Sequence, residues 1–169
     1  MPLGDEVVAA LYVEHADVLR RFALRAVHDP GRAEDLVQEV VFKAWRRAPE
    51  PDDMRSYLLA SARNLVIDQY RAAARRPQES QDAPIPETPA AAGDPEAEVN
   101  RLLDQILVEE ALTRLQPHHR KVVQALYFAG MSVQQAADAL GVPAGTVKSR
   151  AYYAVRSLRT ILDEMGVQQ

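Results

Sequence analysis

Apolar residues recur at helical spacing along most of the chain, which predicts a protein built from α-helices. Three such runs fill the first 75 residues, and the turn-forming segments 29–31 (DPG) and 49–51 (PEP) separate them. The third run extends from about residue 54 to residue 74. In the second run, one stripe carries the side chains expected to face a core: Leu36, Val37, Val40, Val41, Ala44 and Trp45.

Residues 77–98 interrupt this pattern. They contain five prolines, six acidic residues, no Lys or Arg, and almost no large apolar side chain. Such a segment cannot bury enough apolar surface to offset the entropy lost on ordering, so it is predicted to be a flexible linker. Helical spacing resumes near Val99. The predicted fold class is all-α: two small helical domains, residues 1–76 and 99–169, joined by this linker.

Residues 132–162 have the turn chemistry of a helix-turn-helix. Ser132 followed by Gln135 resembles a capping box that starts a short helix over residues 133–140. Gly141 suits the left-handed turn that ends this helix, and Pro143 suits the start of a second helix over about residues 144–162. In this motif the second helix lies in the major groove of DNA.

The predicted second helix has one apolar and one polar surface. Its inner stripe is predicted to consist of Val147, Ala151, Val155, Leu158 and Leu162. Hydroxyl groups suit phosphates, and Lys and Arg side chains suit guanine edges. The residues expected to face DNA are Thr146, Lys148, Ser149, Arg150, Tyr152, Tyr153 and Arg156. A basic helix that is merely solvated is the alternative interpretation.

The charge distribution is compatible with DNA binding although the net charge is −4. Residues 55–76 hold five arginines against one acid, and residues 145–160 hold four basic residues and no acid. Binding depends on such local patches rather than on the total. The chain contains no cysteine, which excludes disulfides and thiolate metal sites within it. The N-terminus lacks the basic start and apolar run of a signal peptide.

Three segments, taken in order, resemble the extracytoplasmic-function (ECF) type of RNA polymerase sigma factor, a two-domain branch of the sigma-70 family. Residues 34–45 (EDLVQEVVFKAW) resemble the part of sigma domain 2 that docks on the β′ clamp helices of the polymerase. Residues 57–71 (YLLASARNLVIDQYR) resemble the helix that reads the −10 element. Residues 111–159 resemble domain 4, which reads the −35 element.

The resemblance implies roles for residues in each segment. The expected polymerase-binding face consists of Asp35, Gln38, Glu39 and Lys43, while Trp45 is expected in the core. The expected −10 contacts are Arg55, Arg63, Asn64, Asp68, Arg71, Arg75 and Arg76. For Asp68, a salt bridge that orients Arg71 or a neighbour is an equally open interpretation. The polar face of the second helix is the expected −35 contact surface.

The implied function is that of a subunit which joins core RNA polymerase and directs promoter-specific initiation. Its expected partners are core polymerase (β′ clamp helices and β flap), promoter DNA and an anti-sigma factor. We expect no cofactor, metal or small-molecule substrate. The expected location is the cytoplasm. An anti-sigma partner that is anchored in the membrane would hold the protein at the inner face of the membrane.

Two other function classes compete with this interpretation. A helix-turn-helix regulator that acts without core polymerase would not need the acidic face on residues 35–45. Such a dimeric regulator would bind palindromic sites as a free protein. An enzyme is disfavoured because His118 and His119 are adjacent, so on a helix their side chains point about 100° apart. The sequence also shows no nucleophile motif or glycine-rich phosphate loop.

Overall fold

The computed structural model describes residues 4–50, 54–75 and 93–167. Within these ranges the chain is almost entirely helical and forms no strand, which confirms the predicted fold class. The elements are α1 (Asp5–Val27), α2 (Pro30–Arg47), α3 (Met54–Arg75), α4 (Pro95–Arg114), α5 (Pro117–Val123), a π-helical turn (Gln124–Phe128), α6 (Val133–Leu140) and α7 (Ala144–Glu164).

The chain divides into two compact units, Met1–Ile106 and Leu107–Gln169. The division falls inside α4, so the first part of that helix belongs to the first unit. This helix begins at Pro95, earlier than the start near Val99 that the sequence predicts. The last residues of the predicted linker are therefore helical, while residues 77–92 of it lie outside the described ranges.

In the first unit, α1, α2 and α3 surround one core. Asp29 caps α2 by accepting a hydrogen bond from the Arg32 backbone N–H at 2.8 Å, and Pro30 occupies the first turn, where its missing N–H costs little. The largest fully buried side chains of this core are Leu19, Phe22, Leu36, Val37, Val40, Leu58 and Val66. Burying one such side chain stabilises the fold by about 2 kcal/mol.

A polar cluster on the surface joins α1 to α2. The Tyr12 hydroxyl donates a hydrogen bond to Glu34 Oε1 at 2.9 Å, and Arg20 Nε donates one to Glu34 Oε2 at 3.2 Å. Arg20 Nη2 also donates to the Tyr12 hydroxyl at 2.9 Å. These bonds favour the charged carboxylate, so the Tyr12 hydroxyl first and Arg20 second lower the pKa of Glu34.

Replacing Glu34 with Gln should therefore weaken the acid dependence of stability. Because the folded-state pKa of Glu34 is lowered, its contribution is present above the unfolded pKa, near 4.5, and is lost as pH falls through the lower folded value. We expect Tm of the wild type to exceed that of Glu34→Gln at pH 7, with the difference shrinking as the pH approaches 3. Thermal melts from pH 7 to pH 3 measure this, and a constant difference would contradict it.

The second unit is built around two adjoining apolar clusters. One contains Val122, Ala125, Ala136, Ala137 and Val147, which hold α5 and α6 against α7. The other contains Leu112, Leu115, Val123 and Ala154. The π-helical turn after α5 was not predicted, and it leaves Tyr127 and Phe128 each 64% exposed. No helix within the described ranges is both long enough and apolar enough to cross a bilayer.

Candidate DNA and polymerase interfaces

The helix-turn-helix of the second unit has the predicted geometry. The Ser132 side chain accepts from the Gln135 backbone N–H at 3.1 Å, and the Gln135 side chain accepts from the Ser132 backbone N–H at 2.8 Å. Gly141 ends α6 with φ of 65°, a left-handed value that a residue with a Cβ adopts only with strain. Pro143 lies just before the first residue of α7. The capping box and the turn are therefore as the sequence predicts.

Helix α7 places its predicted DNA-facing residues on the surface, with one correction to its inner stripe. Lys148, Ser149 and Arg156 are exposed, and Tyr152 and Tyr153 are each 57% exposed. Thr146 and Arg150 are half-buried. Val155 was predicted to face inward, but it is 49% exposed, and Ala154 is fully buried in its place. Ala154 packs with Leu158 and Ile161, so at this turn of α7 the inward-facing residue is one position earlier than predicted, while Val147 and Leu158 lie inside as predicted.

The polar face of α7 combines charge with aromatic surface. Arg156 donates a hydrogen bond to the Tyr152 hydroxyl at 3.0 Å, and its guanidinium lies 5.6 Å from the centre of the Tyr152 ring. The Tyr152 and Tyr153 rings meet edge to face, with centres 5.3 Å apart. Lys148 makes no ion pair within the described ranges. This arrangement holds Arg156 in place while leaving Lys148 available to an anionic ligand.

A cleft between α5 and α7 adds positive charge beside this face. It is lined by His118, Lys121 and Arg150, together with Pro117, Ala139 and Leu140. The two adjacent histidine rings lie 4.2 Å apart. Burial, then His118 and Arg150, lower the pKa of His119. His118 is exposed, whereas His119 is half-buried.

In the first unit, two of the predicted −10 arginines are held by the start of α4. Arg63 Nη2 donates to Glu96 Oε1 at 2.6 Å, and Arg63 Nε donates to Asn100 Oδ1. Arg71 Nη2 donates to Glu96 Oε2 at 3.4 Å. The sequence could not indicate these bonds, because their partners are 25 to 37 positions apart in the chain.

The other predicted −10 residues differ in their exposure and in their partners. Asn64 is exposed, and its side-chain oxygen accepts from Arg63 Nη1 at 2.9 Å. Arg71 pairs with Glu96 rather than with Asp68, which is exposed and makes no ion pair among the described residues. Arg55 is half-buried and Arg75 is exposed. Arg76 lies outside the described ranges.

The predicted polymerase-binding residues share one exposed side of α2. Asp35, Gln38, Glu39 and Lys43 are all exposed, opposite the buried side chains of Leu36, Val40 and Ala44. Glu39 and Lys43 form an ion pair at 3.2 Å. Asp35 makes no ion pair among the described residues, so the face retains an acidic side chain for a basic partner.

An apolar groove borders this face, and sequence reasoning did not identify it. It lies between α1 and α2, has a volume of about 580 Å³, and includes Gln38 at its edge. Trp45 was expected in the core, but it is half-buried and lines the groove, with its ring 5.5 Å from that of Phe42. Phe42 is 52% exposed. The apolar lining residues are Val8, Ala9, Tyr12, Val13, Val41, Phe42 and Trp45.

Comparison with known proteins identifies the family. Sequence models of sigma-70 region 2 and sigma-70 region 4 match residues 11–76 and 111–160. The ECF RNA polymerase sigma factor SigL of Mycobacterium tuberculosis is 42% identical over 95% of this chain and 92% of its own length. This chain belongs to the ECF sigma factors. It is therefore a sigma factor that directs promoter-specific transcription.

Other similar proteins agree with this family. The RNA polymerase sigma-E factor of Streptomyces coelicolor is 34% identical over 93% of this sigma factor and 87% of its own length. Among solved structures, the sigma factor RpoE in complex with the anti-sigma factor NepR from Bartonella quintana is 29% identical. That match covers 89% of this chain and 94% of the RpoE chain, with a TM-score of 0.35.

Proposed function

We propose that this sigma factor reads the −35 element with the exposed face of α7, contacts the −10 element with α3, and docks on core polymerase with α2. The observation that carries the proposal is the helix-turn-helix, whose second helix exposes Lys148, Ser149 and Tyr152 in its N-terminal half and Arg156 one turn beyond Tyr152. A helix of this kind inserts its N-terminal half into the major groove. Thr146, Arg150 and Tyr153 complete the proposed −35 surface.

Each proposed activity belongs to one of the two domains expected from the sequence. We assign docking and promoter melting to residues 1–76, and −35 recognition to residues 99–169. The match of region 2 to residues 11–76 and of region 4 to residues 111–160 supports this assignment. Residues 77–98 would then connect the two activities.

For the −10 element, we propose that α3 meets the separated non-template strand. Opening a promoter requires bases to leave the stack, and a basic surface can then hold the backbone of the single strand. Asn64 would bond a base edge, and Asp68 lies beside it on the same helix. The proposed phosphate contacts are Arg55, Arg63, Arg71, Arg75 and Arg76.

For core polymerase, we propose that the acidic side of α2 pairs with basic side chains on the β′ clamp helices. Exposure of Asp35 and Glu39 on a well-packed helix supports this. The second unit would meet the β flap. The exposed aromatic side chains Tyr127 and Phe128 support an apolar contact there, because exposed apolar patches mark protein interfaces.

We further propose that an anti-sigma factor holds the protein inactive by masking these faces. The apolar groove between α1 and α2 supports this, since it adjoins Gln38 on the proposed docking face. The protein would act in the cytoplasm. A membrane-anchored anti-sigma factor would hold the inactive protein at the inner face of the membrane. It would act by binding rather than by catalysis, without a cofactor or small-molecule substrate.

A test of the −10 assignment uses the double variant Asn64→Ala/Arg71→Gln in the polymerase holoenzyme. Losing a base-edge bond and a phosphate contact should lower open-complex formation by about tenfold or more, since such contacts are each worth about 1–3 kcal/mol. Permanganate reactivity of unpaired thymines measures opening, and a polymerase-binding assay should show no change. Arg101→Gln, which removes one charge from α4, serves as the control.

Equal promoter opening by the double variant and by Arg101→Gln would contradict the assignment of α3 to the −10 element. Loss of polymerase binding together with opening would contradict it as well, because α3 would then contribute to docking.

A further inference from the structure

The basic side of α3 is already occupied by an acidic side chain of the same chain. Glu96, in the first turn of α4, uses one carboxylate oxygen for Arg63 at 2.6 Å and the other for Arg71 at 3.4 Å. Asn100, one turn further along α4, accepts from Arg63 Nε. The Asn64 oxygen is also engaged by Arg63, at 2.9 Å.

A carboxylate in this position resembles a DNA phosphate in its chemistry. Both are oxyanions that accept paired hydrogen bonds from the planar guanidinium group, and both can bridge two arginines. The N–H groups of Arg63 that point to Glu96 and Asn100 cannot point to a phosphate at the same time. The contact therefore occupies the residues assigned above to the non-template strand.

The strength of the contact suits a reversible role. Side-chain exposure is 26% for Arg63, 48% for Arg71 and 46% for Glu96, so water screens the pairs. Ion pairs of this kind contribute little net stability, and a DNA strand with several phosphates can displace them. A deeply buried pair would instead hold the arginines permanently.

We propose that Glu96 is an intramolecular competitor that lowers the affinity of α3 for single-stranded DNA until the start of α4 leaves it. This inference rests on the proposed −10 function of α3. It adds that Glu96 and a DNA phosphate bind Arg63 and Arg71 in a mutually exclusive way. The free sigma factor would then bind single-stranded DNA weakly at α3, and displacement of the start of α4 would release Arg63 and Arg71 for the DNA.

The test compares Glu96→Gln with Glu98→Gln in the full-length protein. Both changes remove one negative charge from the first turns of α4, but Glu98 pairs with Arg101 at 2.7 Å instead of with Arg63 or Arg71. The probe is a fluorescein-labelled 20-nucleotide thymidine strand, and anisotropy gives its Kd at several NaCl concentrations. Circular dichroism checks that both variants retain the helical content of the wild type.

We expect Glu96→Gln to bind the probe about fivefold more tightly than Glu98→Gln at 50 mM NaCl, a factor at the upper end of the range for an exposed ion pair, because Glu96 holds two arginines. The salt dependence should also become steeper, because each released arginine that meets a phosphate adds about 0.7 to the slope for a single strand. Equal affinities for Glu96→Gln and Glu98→Gln would overturn the proposal.

The same comparison in a second variant distinguishes a failure of the proposed competition from a failure of the proposed −10 function. In Arg63→Gln/Arg71→Gln, the added Glu96→Gln change should give no gain over Glu98→Gln, because the arginines that it would release are absent. A gain that persists there would overturn the proposed competition. If Arg63→Gln/Arg71→Gln alone leaves binding of the strand unchanged, the −10 assignment itself fails. If it weakens binding while Glu96→Gln matches Glu98→Gln, only the competition fails.

Discussion

Replacing Asp35 and Glu39 with arginine should lower the affinity of this sigma factor for core RNA polymerase by about hundredfold or more, because bringing like charges together at an interface costs several kcal/mol. Both side chains are exposed on α2, and neither contributes to the core that Leu36 and Val40 build on the opposite side. The ion pair of Glu39 with Lys43 is also lost, but exposed pairs of this kind add less than about 1 kcal/mol of stability. The fold should therefore survive while the docking face reverses its charge.

Titration of labelled core polymerase measures this affinity. Asp17→Arg/Asp104→Arg is the matched control, because it reverses two exposed acidic residues outside α2. Its affinity should remain within about threefold of the wild type if long-range charge is screened at physiological salt. Equal losses in the two double variants would mean that net charge, and not the α2 face, controls binding.

Replacing Lys148 and Arg156 with alanine should lower the affinity for −35 duplex DNA by about thirtyfold or more. Loss of one base or phosphate contact typically costs about 1–3 kcal/mol, and these residues supply two. Both lie on the exposed side of α7, whereas the side chains that hold this helix in place are Val147, Ala154 and Leu158. The loss should also reduce the salt dependence of binding, since fewer phosphates are neutralised.

Promoter binding by the holoenzyme, measured with a duplex that carries the −35 element, tests this prediction. Arg159→Ala is the control, because it removes a charge from the same helix at a position outside the proposed −35 surface, about 16 Å along the axis from Lys148 and about one turn beyond Arg156. It should leave affinity within about threefold. If Arg159→Ala lowers the affinity for the −35 duplex as much as the double variant does, DNA binding depends on the total positive charge of α7 and not on the proposed −35 surface.

The sequence was sufficient to predict the helices, because the signals for their ends are local. Ser132 and Gln135 form the capping box, Gly141 ends α6, and Asp29 caps α2, as turn chemistry leads one to expect. The helix-turn-helix is therefore the part of the candidate site that could be predicted best. The inward-facing side of α7 is predicted less accurately, because two adjacent residues can both lie near the edge of the inner stripe when successive side chains are about 100° apart. Val155 looked apolar enough to face inward, but the smaller Ala154 fits closer to the neighbouring helices.

Contacts between distant segments could not be predicted from the sequence. Glu96 belongs to a stretch whose composition suggested a linker, and nothing local shows that its carboxylate meets Arg63, 33 positions earlier. The same holds for Glu34, which the family resemblance placed in the docking segment and which the fold uses to join α1 and α2. Trp45 has an apolar body that suggested burial, yet it lines an open groove with Phe42. The assignments of individual residues to DNA and polymerase remain predictions.

The central claim is tested most directly by in vitro transcription with purified core RNA polymerase and this protein on promoters of its own genome. The account predicts a discrete transcript that requires the protein, and that is lost both with Asp35→Arg/Glu39→Arg and with Lys148→Ala/Arg156→Ala. The first variant should fail to join core polymerase, and the second should join it but fail to select the promoter. Absence of core binding by the wild type, together with tight binding of the free protein to a palindromic duplex, would contradict the account.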